Sequence, residues 1–184
     1  MKPLCPFDEE WDYLVVLDAC RYDTFAEVYD GYLSGHLEPR RSAGSATPEW
    51  AAKTLTGRYD ARYYSANPFI NSLGVPLNEV GWGASCGYEW SAADHLAEVV
   101  DLWHDAWVDD LGTVPPGAVT RAVRARDDHV DRDHDRVVIH YMQPHAPFLR
   151  RGRGRKLRRV RDGIRAPAGG GPLDCVVTPL RRRI

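Results

Sequence analysis

Tyr13-Leu14-Val15-Val16-Leu17 is an unbroken apolar run that stops abruptly at Asp18. It is too short for a stable helix and has no polar side to turn toward water. The same holds for Val137-Val138-Ile139 within Arg136–Tyr141. Runs of this kind fit strands buried on both faces, as in a parallel sheet covered by helices. Two such strands, far apart in sequence, constrain the chain to an α/β architecture more tightly than any other feature.

The segments between them fit that expectation. Asp23 reads as a helix N-cap, with Phe25, Ala26, Val28 and Tyr29 following at helical spacing. Thr47-Pro48-Glu49 reads as a second helix start, with Thr at the N-cap, Pro at the first position and an acid in the first turn. Gly57 is its expected stop. A strand is expected over Arg62–Ala66 and a further short one over Glu98–Trp103. Pro115-Pro116 announces a helix over 115–126. Residues 1–10 read as an unstructured lead-in, and residues 71–95 carry no clear period. The fold class is α/β, a mostly parallel sheet flanked by helices.

Charge divides the chain. Of the 184 residues, 1–149 carry a net −12 and 150–184 a net +10. The first part has all 6 Trp and all 9 Tyr, enough to build a core. The second is rich in Arg, Gly and Pro, as in Arg150-Arg151-Gly152-Arg153-Gly154-Arg155, and has no helical or strand period. Residues 1–149 are therefore expected to form an α/β domain and 150–184 a basic tail. A frameshifted translation of a GC-rich gene would yield such a tail, and that reading is preferred to a genuine basic extension for nucleic acid. Asp outnumbers Glu before residue 150, and Lys occurs there only at Lys2 and Lys53. Such a surface suggests salt adaptation, which melting temperature against KCl concentration tests. No run is long enough for a membrane span, and no signal-peptide pattern is evident. Cys5, Cys20, Cys86 and Cys175 form no C-x-x-C pair, which argues against a disulfide framework or structural zinc. The expected compartment is the cytoplasm.

In open α/β sheets, sites form beyond the carboxyl ends of the strands. Asp18 follows the first strand, Asn67 follows Arg62–Ala66, and His140 and His145 bracket the end of the last. Ser45 and Thr47 sit at a helix N-terminus, whose free N–H groups and dipole favour an anion or an alkoxide. A strand-end carboxylate holding a divalent metal would lower the pKa of a nearby hydroxyl. Each residue also has a plainer reading. Asp18 can be a turn former, Thr47 an ordinary cap, and the two His strand-end caps.

Taken in order, these segments resemble the alkaline phosphatase superfamily in its sulfatase-like branch. Val15-Val16-Leu17-Asp18-Ala19-Cys20-Arg21 is similar to its first strand and metal-ligand Asp. Thr47-Pro48-Glu49-Trp50 through Thr56-Gly57-Arg58-Tyr59 is similar to its nucleophile helix. His140 through Phe148, with Pro144-His145-Ala146-Pro147, resembles a substrate-facing segment. The resemblance covers about residues 12–149, the N-terminal part of that fold. It implies a metal-dependent hydrolase or transferase of phosphate or sulfate esters. Asp18 would ligate a divalent ion (Zn, Ca, Mg or Mn), joined by Thr47. Thr47 would be the nucleophile, with Ser45 the runner-up. His145, His140, Asn67 and Arg21 would contact or support a small anionic ester.

The chain departs from the sulfatase pattern at two places. Ala46-Thr47-Pro48-Glu49-Trp50 lacks the convertible Cys or Ser in register and lacks the Arg, so a Thr or Ser nucleophile is expected in place of formylglycine. No Asp-His-Gly segment occurs to complete a metal site, so weak metal binding and low activity are expected. Two alternatives remain: a non-catalytic anion-binding member of the same fold, and a nucleic-acid binder acting through the basic tail.

Overall fold

The computed structural model describes residues 1–80, 87–127, 134, 136–146, 149 and 176–180. Its centre is a five-stranded sheet. The strands, with β1 and β3 forming a separate pair, are β1 (Lys2–Pro3), β2 (Tyr13–Leu17), β3 (Arg40–Arg41), β4 (Tyr59–Ser65), β5 (Leu96–Asp101), β6 (Arg136–Tyr141) and β7 (Val176–Leu180). The sheet order is β5-β4-β6-β2-β7. All its pairings are parallel except β2 with β7, which is antiparallel. The α/β class with helix-flanked parallel strands is thus observed.

Alternation along the strands explains both faces. Leu14, Val16, Ala61, Tyr63 and Val138 point to one apolar cluster, with Trp50 and Ala51 of helix α2 (Thr47–Thr54) and Leu55 just after it. Tyr64, Val137 and Ile139 point to the other, with Trp103 of α4 (Leu102–Asp105) and Val119 of α5 (Pro116–Asp127). Period-two side chains on strands buried from both sides need a helix layer on each face.

β2 and β6 occupy the spans that their apolar runs predict. β4 and β5 start earlier than expected, at Tyr59 and Leu96, and end earlier, at Ser65 and Asp101; Leu102 and Trp103, read as strand, belong to α4. A register shift between Tyr59 and Arg62 marks the irregular start of β4.

Four other readings need correction. The first ten residues are structured: β1 pairs with β3, a 3-10 turn spans Pro6–Asp8, and Leu4 and Phe7 are buried. The helix expected from Asp23 is α1 (Tyr22–Ala26), with Arg21 at its N-cap position and no buried residue. With no face to bury, it stops after five residues and gives way to a 3-10 turn over Tyr29–Gly31. Within 71–95, a 3-10 turn spans Leu77–Glu79 and α3 covers Ala92–His95. Finally, Val176–Leu180 pairs with β2 in the register Tyr13↔Leu180 to Leu17↔Val176. It lies in the segment read as lacking any strand. Its Pro179 is compatible with an edge position, where a missing N–H is tolerated. The rest of 150–184 lies outside the described residues.

Candidate functional site

The carboxyl ends of β2, β6 and β4 lie side by side, with β6 in the middle. Asp18 leaves β2 there, and its own main chain is tied to the segment after β6. Its N–H donates to Tyr141 O at 3.0 Å, and its C=O accepts the His145 N–H at 3.1 Å. The chain then turns sharply: Ala19 has φ 59°, and Cys20 N–H closes back to Leu17 O at 3.2 Å. A left-handed alanine directly after the key carboxylate is a point of local strain of the sort that collects at functional sites.

Helix α2 brings in Thr47. Ala46 occupies the N-cap position, so Thr47 is the first helical residue and Pro48 the second, and the helix begins one residue earlier than the sequence suggests. Ala46 has extended dihedrals and accepts the Trp50 N–H, which leaves Thr47 inside the first turn with a hydroxyl free of capping duty. The incoming loop presses on the helix at Gly44. A Cβ there would overlap the main chain of Glu49 and Trp50, so only glycine fits.

Three side chains meet at one carboxylate oxygen. Thr47 Oγ1 donates to Asp18 Oδ2 at 3.3 Å. Asn67 Nδ2 donates to the same oxygen at 2.8 Å and lies 2.9 Å from Thr47 Oγ1. The Asn67 amide has a fixed sense, because its Oδ1 accepts the Phe69 N–H at 3.1 Å. Ser65 Oγ further secures the Asn67 main chain by donating to its carbonyl at 2.7 Å. His140 lies beneath, with Nε2 3.5 Å from Asp18 Oδ2. That separation is longer than a well-formed hydrogen bond, and Nε2 is a buried atom with no hydrogen-bond partner among the described residues. His140 Nδ1 sits 2.8 Å from the Tyr63 hydroxyl.

Electrostatics follow from this arrangement. Burial alone would push the Asp18 carboxyl up. The contact with His140, the electrostatic influence of His145 and the Asn67 hydrogen bond together outweigh it, and hold the group below its ordinary value. Asp18 is therefore a buried carboxylate, compensated from several sides.

The expected site residues separate into two sets. Asp18, Thr47, Asn67 and His140 converge, and His145 joins through its main chain and its charge. His140 is almost fully buried, so it lies under Asp18 and not on a substrate-facing surface. Ser45 and Arg21 are engaged elsewhere. Ser45 N–H and Oγ both donate to Glu49 Oε2, at 2.9 and 3.0 Å, closing the first turn of α2 from outside. The Lys53 ammonium and those bonds hold Glu49 down to about 2. Arg21 makes a two-point pair with Asp23 on the surface, and draws that acid down to about 2. Tyr63 was not foreseen. Its signal was available only as strand alternation, which sets Tyr63 and Ser65 on the same face of β4 as Leu14 and Val138.

As a donor set for a divalent ion, Asp18 and Thr47 offer two oxygens. Among the described residues, no group of three His, Cys, Asp or Glu side chains stands close enough to hold a metal. The residues thus fit one side of a divalent site, short of the four or more donors such ions take. Among the described residues, no helix is long and apolar enough to cross a membrane. No family model matches the sequence, and no curated protein or solved structure matches it either.

Proposed function

We propose that the Asp18–Thr47–Asn67 cluster is the nucleophile half of a metal-dependent hydrolase or transferase site for phosphate or sulfate esters, in an alkaline-phosphatase-like fold. The observation that carries this reading is the Thr47 hydroxyl, held between a buried carboxylate and an amide donor at the start of a helix. Each neighbour has a chemical use. Asp18 accepts the Thr47 proton's hydrogen bond and raises the electron density on Oγ1. Asn67 Nδ2 donates toward negative charge on Oγ1, and the field at the N-terminus of α2 acts in the same sense. The His145 imidazole, partly exposed beside Asp18, offers a donor to a tetrahedral anion. Asp18 and Thr47 are the residues that would hold a divalent ion, which when bound would lower the hydroxyl pKa and draw in the anionic ester. With two ligands from these residues, binding of the ion is weak and turnover slow.

The test is hydrolysis of an aryl phosphate and an aryl sulfate by the full chain, with Mn, Zn, Ca or Mg supplied in excess. Thr47→Ala should lower any turnover to background, and Ser45→Ala should leave it within about threefold, since Ser45 only braces Glu49. Turnover by Thr47→Ala equal to wild type removes Thr47 as nucleophile.

A second reading keeps the fold without catalysis, as an anion-binding protein using the same helix start. The sparse metal ligation favours it. Calorimetric binding of inorganic phosphate with no turnover, lost in Thr47→Ala, would select it.

A further inference from the structure

We infer that Tyr63 fixes His140 as its Nε2–H tautomer, and that His140 is thereby a positioning residue for the Asp18 carboxylate. The inference rests on the reading of Asp18 as the central carboxylate of the site, and assigns two residues beneath it that touch no substrate. Tyr63 and His140 come from neighbouring parallel strands, where Tyr63 pairs with Val138 and Ser65 with His140. Both side chains are almost wholly buried, so water cannot stand in for a missing partner. A neutral imidazole carries one proton on two nitrogens. If Nδ1 held it, the Nε2 lone pair would face Asp18 Oδ2 from 3.5 Å, and both would be buried acceptors. If Tyr63 donates to Nδ1 across 2.8 Å, the proton is on Nε2 and points at the carboxylate. The second arrangement is the favourable one.

This sets the direction of Asp18. Oδ2 then faces Thr47, Asn67 and the His140 Nε2–H, all from the protein side. Among the described residues, Oδ1 accepts no hydrogen bond and is the oxygen left for a ligand. Outer partners that orient a ligating carboxylate in this way are a recurrent feature of reactive sites.

The experiment is long-range proton–nitrogen NMR of the imidazoles in the full 15N-labelled chain at neutral pH, with His140 assigned by loss of its signals in His140→Gln. The expected wild-type pattern has Nε2 in the protonated range and Nδ1 in the unprotonated range. A proton on Nδ1, alone or together with Nε2, overturns the inference. Tyr63→Phe should move both nitrogens toward the average of the two tautomers; an unchanged pattern in that variant also overturns it. The positioning role is read at the Asn67 side-chain amide, which shares Oδ2. His140→Gln, which keeps a donor, should retain the wild-type amide shifts, and His140→Leu should displace them. Unchanged shifts in a folded His140→Leu chain remove the positioning role. None of these readouts needs metal or ester. Absent hydrolysis would thus sink the Thr47 reading and leave this result standing, and a wrong tautomer would do the reverse.

Discussion

Asn67 is bound to Asp18 as a donor that cannot turn around: Nδ2 reaches Asp18 Oδ2 at 2.8 Å while Oδ1 is held by Phe69 N–H. Asn67→Asp keeps the shape and reverses the sense, placing a second buried carboxylate against the first. Like charges in one buried site disfavour each other's ionisation. The variant should lose about 1–3 kcal/mol of stability at neutral pH, from an unmet buried acceptor and the repulsion. The loss should shrink at pH 5, where the pair can share a proton. Urea denaturation at both pH values measures it, and an equal loss at both removes the electrostatic account.

Asp18 should also shape the acid limb of stability. Burial pushes its carboxyl up, but His140, His145 and Asn67 together bring it below the ordinary value. A carboxylate with a lowered folded pKa stabilises fully above its unfolded value, near pH 4. That stabilisation fades as pH falls through the lower folded value. The stability difference between wild type and Asp18→Asn should therefore be flat from neutral pH to about pH 5 and narrow below about pH 4. A difference that grows on acidification would mean that burial dominates after all.

The sequence made the strand-end residues legible because their signal is local. Asp18 closes an apolar run, and Asn67 and His140 fall at or just beyond strand ends. That they meet depends on β6 inserting between β2 and β4, an order that no local pattern encodes. Tyr63 was hidden for the same reason, since its partner is 77 positions away. The helix start was placed one residue late, at Pro48 in place of Thr47, because Thr-Pro fits both a cap and a first turn, and the choice depends on how the loop at Gly44 meets the helix. Strand β7 escaped notice because Arg, Gly and Pro on either side mask five residues whose partner is β2.

On the edge strand β5, Glu98 holds two cations. Its Oε2 lies 2.6 Å from Nε of the buried Arg62, and its Oε1 lies 2.6 Å from Arg126. The paired charges depress the Glu98 carboxyl against the upward push of partial burial. Glu98→Gln removes the Glu98 carboxylate from a buried guanidinium and should cost about 2–3 kcal/mol. That is less than a wholly buried pair, because the Glu98 side chain is 26% exposed. Arg126→Ala, at a half-exposed position, should cost less than about 1 kcal/mol. Equal losses in the two variants, measured by chemical denaturation, would show that burial of Arg62 does not set the scale.

β7 gives the basic C-terminal region a structural consequence. It covers the outer edge of β2, the strand that delivers Asp18 to the site. A chain ending at Leu149 would leave the main-chain donors and acceptors of β2 open along that edge. Exposed edges of apolar strands pair with other chains. The 1–149 chain should therefore melt below the full-length protein, and part of it should elute as larger species whose share rises with concentration. Mixing in salt should not restore it, because what is missing is a row of main-chain hydrogen bonds and not a charge. If 1–149 melts at the full-length temperature and stays at its original size, β7 contributes nothing to the sheet, and 150–184 is the detached tail that its composition suggests.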